Sequence, residues 1–109
     1  MPATAYPKLN FILPHAGQYC SRNWAPHIEA IDLAKRYPNI YLDMSGVGSF
    51  KYVEMAAREL PAEKLLFGTC APEMDPRVGK EALRPLKLPQ DRYSKVAGLN
   101  FEALISKRT

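Results

Sequence analysis

Three short apolar runs, each closing on a glycine, constrain this chain more than any other feature. Residues 64–72 read Lys-Leu-Leu-Phe-Gly-Thr-Cys-Ala-Pro. Leu65 to Phe67 predicts a short buried strand. Gly68 lets the backbone bend or approach a neighbour without a Cβ clash, and Pro72 stops the ladder. Residues 10–17, Asn-Phe-Ile-Leu-Pro-His-Ala-Gly, end in a histidine and a glycine. Residues 39–46, Asn-Ile-Tyr-Leu-Asp-Met-Ser-Gly, end in a polar pair and a glycine. In parallel α/β sheets, ligands and catalytic groups gather at the carboxyl ends of the strands. His15, the Asp43–Ser45 pair and Cys70 are therefore the first candidates for a site.

Helical patterns separate the runs. Residues 2–8 are expected to be irregular, and residues 9–13 form a strand buried on both faces, stopped by Pro14. Pro26 suits the first turn of a helix that reaches about Tyr37, with Ile28, Ile31, Leu33 and Ala34 toward the core. Lys35 and Arg36 complement the negative end of its dipole. Residues 40–44 are the second strand. Residues 50–60 form the second helix, with Ser49 as its cap and Tyr52, Val53, Ala56, Ala57 and Leu60 at three- and four-residue spacing. Residues 65–67 follow as the third strand. Asp75-Pro76 caps a helix ending near Leu83 or Leu86. Residues 90–97 form another, Gly98-Leu99-Asn100 interrupts, and Asn100 caps a last helix over 101–105. Strand, helix, strand, helix, strand implies a parallel sheet with right-handed crossovers. Three strands leave two open edges, so such a sheet needs neighbours.

Composition narrows the function classes. With 109 residues the chain is one domain or part of one. The longest apolar runs are too short to span a bilayer. The N-terminus has no basic region followed by an apolar core, so no signal peptide is expected. The net charge of +4 comes from 15 basic residues scattered among 11 acidic ones, without the basic block a nucleic-acid binder shows. Cys20 and Cys70 make no disulfide framework. Both are expected to be reduced thiols in the cytoplasm.

Taken in order, Phe11 to Gly17, Tyr37 to Gly46 and Glu63 to Pro72 resemble the C-terminal part of the amidohydrolase-related family. These are TIM-barrel metal-dependent hydrolases and decarboxylases, akin to aminocarboxymuconate-semialdehyde decarboxylase. Gly98-Leu99-Asn100 within residues 93–104 resembles the family's closing segment. The resemblance implies an α/β fold: about three parallel strands from the C-terminal portion of a (β/α)8 barrel, residues 1–109 forming one partial domain. The whole barrel takes ~250 residues. The parent chemistry is metal-dependent hydrolysis of an ester, lactone or amide, or nonoxidative decarboxylation, with zinc or manganese as the implied metal. His15 falls where the family activates or orients the attacking water. Cys70 falls where the family's Phe-Gly-Thr-Asp motif has aspartate. The early His-x-His pair and the mid-chain histidine have no counterpart.

These departures make catalysis by the isolated chain unexpected. His15 is read as descended from a catalytic histidine; the plainer reading is a ring that bonds a loop carbonyl. Cys70 is read as a small thiol in the aspartate's space, with metal ligation as the alternative. Asp43 either faces the pocket or caps the loop through backbone N–H groups. Ser45, Tyr19 and Trp24 are candidates for contacting a substrate. His27, following a helix-starting proline, is expected at the surface; His15, Cys20, His27 and Cys70 match no zinc-finger spacing. The partner expected is a second copy or a complementary half-barrel, with no nucleic acid and no membrane. The competing reading is a non-enzymatic assembly module that pairs through its sheet edges.

Overall fold

The structure, a computed structural model, describes residues 2–17, 25–47, 50–68, 77, 81 and 83–106. Its strands are β1 (Phe11–Leu13), β2 (Ile40–Asp43) and β3 (Leu65–Leu66), in one parallel sheet of order β1-β2-β3. Helices α2 (Ala25–Arg36) and α3 (Phe50–Glu59) make the two crossovers. A short α1 (Pro2–Ala5) precedes β1. The chain ends in one helical run: α4 (Gln90–Ser94), a π-helical turn (Lys95–Leu99) and α5 (Asn100–Ser106). Among the described residues no helix is long and apolar enough to cross a membrane.

Register divides the sheet into two faces. Phe11 pairs with Ile40, Leu13 with Leu42, and Leu42 with Leu65. Ile40, Leu42 and Leu65 are buried in a core with Ala30, Ile31, Ala34, Ala56 and Ala57 from the helices. The expected core positions of α3 are all buried. Since side chains alternate along a strand, the opposite face carries Ile12, Tyr41, Asp43 and Leu66. Ile12 is 42% exposed. The expectation that β1 is buried on both faces therefore fails. With Leu9, Phe101, Leu104 and Ile105, Ile12 lines a groove of about 550 Å³.

Four further expectations are corrected. Residues 2–8 are not wholly irregular: Asn39 Nδ2 reaches the carbonyls of Ala3, Tyr6 and Leu9 at 3.1, 3.2 and 2.8 Å, giving the segment a fixed place. In α2 the buried stripe is His27, Ala30, Ile31 and Ala34, while Ile28 is 51% exposed. His27, expected outside, is fully buried because its Nδ1 lies 2.8 Å from the Ala16 carbonyl and its ring stacks on Tyr52 at 5.4 Å. Finally, Gly98-Leu99-Asn100 does not break the last helix. The π turn carries the chain through, and Asn100, rather than capping, donates to the carbonyls of Ala62 at 2.6 Å and Leu65 at 2.8 Å.

Those bonds close the outer edge of β3. Beside them, the Phe67 N–H donates to the Val96 carbonyl at 3.0 Å. Backbone groups that a fourth strand would satisfy thus find partners in the terminal helical run. At the same end of the sheet, Lys64 Nζ donates to the carbonyls of Tyr37 and Ile40, both at 2.8 Å, and lies 4.9 Å from the Tyr41 ring centre. Asn39, Lys64 and Asn100 tie the amino ends of the strands; the carboxyl ends are left to other residues.

Candidate functional site

After β1 the backbone turns sharply. Pro14–Gly17 form a short helical turn in which His15 (φ 56°, ψ 30°) and Ala16 (φ 46°, ψ 41°) are both left-handed. For non-glycine residues this conformation costs on the order of 1–2 kcal/mol each and persists only where the surroundings enforce it. Here they do. The His15 N–H donates to Asp43 Oδ2 at 3.3 Å, and the Ala16 carbonyl meets His27. Gly17 continues the turn at φ 100°, where a β-carbon would lie 2.6 Å from the Pro26 carbonyl. The turn swings His15 across the end of β2.

Asp43 ends β2 and gathers the site. Its carboxylate accepts from the His15 N–H, from the Ser45 N–H at 3.2 Å and from the Ser45 hydroxyl at 2.5 Å. Of the two readings offered for Asp43, the bonds show the cap: it holds the loop through the backbone N–H groups of His15 and Ser45. His15 Nδ1 lies 2.8 Å from the Ser45 carbonyl oxygen and 3.2 Å from Ser45 Oγ. A carbonyl can only accept, and the Ser45 hydroxyl proton already points at Asp43. Nδ1 must then carry the ring proton, and in the neutral imidazole the lone pair sits on Nε2.

Gly68 completes the arrangement from β3. A β-carbon there would lie 2.5 Å from Asp43 Oδ1 and 3.0 Å from Ser45 Cβ. Gly68 is not in a left-handed conformation, so the glycine is required by contact rather than by φ. Three strand ends thus meet through His15, Asp43–Ser45 and Gly68.

The order of bonds excludes one chemistry. A nucleophilic serine gives its proton to a histidine that a carboxylate orients. Here the serine gives its proton to the carboxylate, and Ser45 is only 6% exposed. Ser45 is built to hold Asp43 and His15 in place. Among the described residues, no three His, Cys, Asp or Glu side chains cluster to hold a metal ion. The Asp43 carboxylate is engaged by three protein donors, so the described part of the site does not itself make a metal centre. Cys70, Tyr19 and Trp24 lie outside the described residues. Of the sequence-based candidates the structure joins His15, Asp43 and Ser45, with Gly68 in close contact.

A sequence profile of the amidohydrolase family matches residues 3–103. The chain belongs to the amidohydrolase family. It is also similar in structure to an uncharacterised TIM-barrel protein from Bordetella bronchiseptica, at 27% identity and a TM-score of 0.76. That match covers 96% of this chain and 37% of the other. This amidohydrolase-family chain thus spans little more than a third of that barrel protein, and its sheet corresponds to part of a barrel wall. No curated protein sequence matches it significantly.

Proposed function

We propose that this chain supplies the C-terminal wall of an amidohydrolase-type barrel. In that wall His15 is the group that takes or gives a proton at the attacking water or the substrate oxygen. The observation that carries the reading is the Nδ1–Ser45 carbonyl contact. It leaves Nε2 as the basic atom of a histidine at a strand's carboxyl end, where barrel enzymes do their chemistry. The parent reaction is hydrolysis of an ester, lactone or amide, or nonoxidative decarboxylation. A divalent metal, zinc or manganese, would polarise the substrate and activate water; its ligands would come largely from outside the residues described. Cys70 would occupy the metal-side position that holds aspartate in the family.

The isolated chain is expected to turn over neither activated esters nor lactones. The test is metal content and hydrolysis for protein purified without chelator, as wild type and Cys70→Asp. No metal in the wild type, with metal gained by Cys70→Asp, supports the reading. Turnover by the isolated wild type that is lost on chelation and in His15→Ala overturns the expected inactivity. Turnover unaffected by His15→Ala overturns the role given to His15.

The second reading is an assembly module, favoured by the groove along β1, which Lys8 and Asn10 line together with the apolar side chains. Phe11 bonds toward β2 through its N–H, which reaches the Asn39 carbonyl at 2.8 Å. By the alternation of a parallel ladder, Ile12 then turns its backbone groups to the open side. Leu9 and Phe101, each more than half exposed, flank that edge. The occupant that fits is another strand of a barrel wall, laid beside β1. Sedimentation of wild type and Ile12→Glu tests pairing between copies. A wild-type monomer at all concentrations counts against it.

A further inference from the structure

We propose that Asp43 and Ser45 are positioning residues that fix the tautomer of His15, with Gly68 holding them in register. The role goes beyond the reaction itself. Its catalytic meaning rests on the proton-handling role given to His15, but the positioning can be measured without turnover.

Two separate restraints act on His15. Its backbone is held left-handed by the N–H bond to Asp43 Oδ2 at 3.3 Å. Its ring is held by the Ser45 carbonyl at 2.8 Å. Both lead back to Asp43, because the turn that presents the Ser45 carbonyl is fixed by Ser45's own N–H and hydroxyl on that carboxylate. Asp43 therefore sets where the His15 ring lies and, through Ser45, which nitrogen keeps the proton. The hydroxyl has a further effect. With its proton on Asp43, Ser45 Oγ turns a lone pair toward Nδ1 at 3.2 Å, adding a second acceptor for the same ring proton. Gly68 keeps the carboxylate in place by approaching without a side chain. Loss of any of the three should free the ring to exchange tautomers while the core stays folded.

The experiment is ¹⁵N–¹H correlation of the imidazoles in full-length protein. Only two histidines are present, and a His15→Gln variant assigns them. His27, fully buried against Tyr52, is the internal control for folding. Wild-type His15 is expected as one tautomer, protonated at Nδ1. Asp43→Ala should lower the tautomer ratio by about fivefold or more, the equivalent of one hydrogen bond, with the His27 signals unchanged. Ser45→Ala should act in the same direction by less, and Ser45→Thr should restore the wild-type pattern. If Asp43→Ala does not fold, the Ser45 pair decides. A wild-type His15 protonated at Nε2 overturns the proposal. So do folded Asp43→Ala and Ser45→Ala proteins with an unchanged His15 tautomer. A correct tautomer in a completed barrel that shows no turnover would remove the catalytic reading and leave the positioning intact.

Discussion

Gly68 and Asp43 approach so closely that a β-carbon on residue 68 would stand 2.5 Å from the aspartate's Oδ1. Asp43 cannot move aside without releasing the donors it holds from His15 and Ser45. Gly68→Ala is therefore expected to destabilise the fold by about 1–3 kcal/mol, as overpacking does. Gly98→Ala is the contrasting control. Nothing lies within 4 Å of its β-carbon position, and it sits inside the terminal helical run. That change is expected to stabilise by about 0.5–1 kcal/mol, the usual helix preference for alanine. Denaturant midpoints of both variants give the comparison.

How much of this was legible in the sequence follows the strength of each local signal. The three strand ends were readable because apolar runs stop at proline or glycine, and the order of elements followed. The register of α2 was not. Ile28 outweighs His27 by hydrophobicity, yet His27, Ala30, Ile31 and Ala34 are the residues at helical spacing that face the sheet. The deciding force is a polar contact to Ala16 from a distant turn, which periodicity does not carry. Asn100 misled for a related reason. Asparagine before an apolar run reads as a cap, but its amide here serves two carbonyls 35 and 38 residues away. His15, Asp43 and Ser45 could be named as candidates from their places at strand ends. That a left-handed turn would bring His15 onto Asp43 and Ser45 depends on non-local bonds.

Asn39 and Asn100 hold the two ends of the chain onto the sheet by the same device, and both are buried. Each donates its amide group to backbone carbonyls, of which Tyr6 also accepts from the Leu9 N–H and Ala62 from the Leu65 N–H. Replacing either by alanine removes these buried bonds, at about 1–3 kcal/mol. The effects should differ in place. Asn39→Ala should release residues 2–9 and speed their amide exchange, with α5 little affected. Asn100→Ala should instead speed exchange in the terminal helical run and at Phe67, whose N–H depends on the Val96 carbonyl. Hydrogen exchange of both variants checks the separation. Uniform loss of protection in each would show that the two clamps are not local.

Lys64 gives the stability a dependence on alkaline pH. Its ammonium is held below the usual lysine range by desolvation, while its hydrogen-bond partners are the carbonyls of Tyr37 and Ile40. A lowered value in the folded state means that the unfolded chain binds more protons between that value and the ordinary one of about 10.4. Stability from this group therefore rises with pH across that interval, and is lost as pH falls through the lowered value. A neutral amine can still donate to both carbonyls, so deprotonation relieves the cost of burying charge and keeps the two hydrogen bonds, giving up only the attraction to the Tyr41 ring. Lys64→Met removes the donors along with the charge. Near neutral pH it is expected to destabilise by about 1 kcal/mol. The gap between wild type and variant should widen as pH climbs toward the ordinary lysine range. Other lysines and tyrosines titrate there too, but they are common to both proteins and cancel in the difference. Urea denaturation at a series of pH values from 7 to about 10 measures it. A gap that stays constant or narrows would mean that Lys64 is solvated like any surface lysine and that its hold on β2 adds nothing beyond the hydrogen bonds.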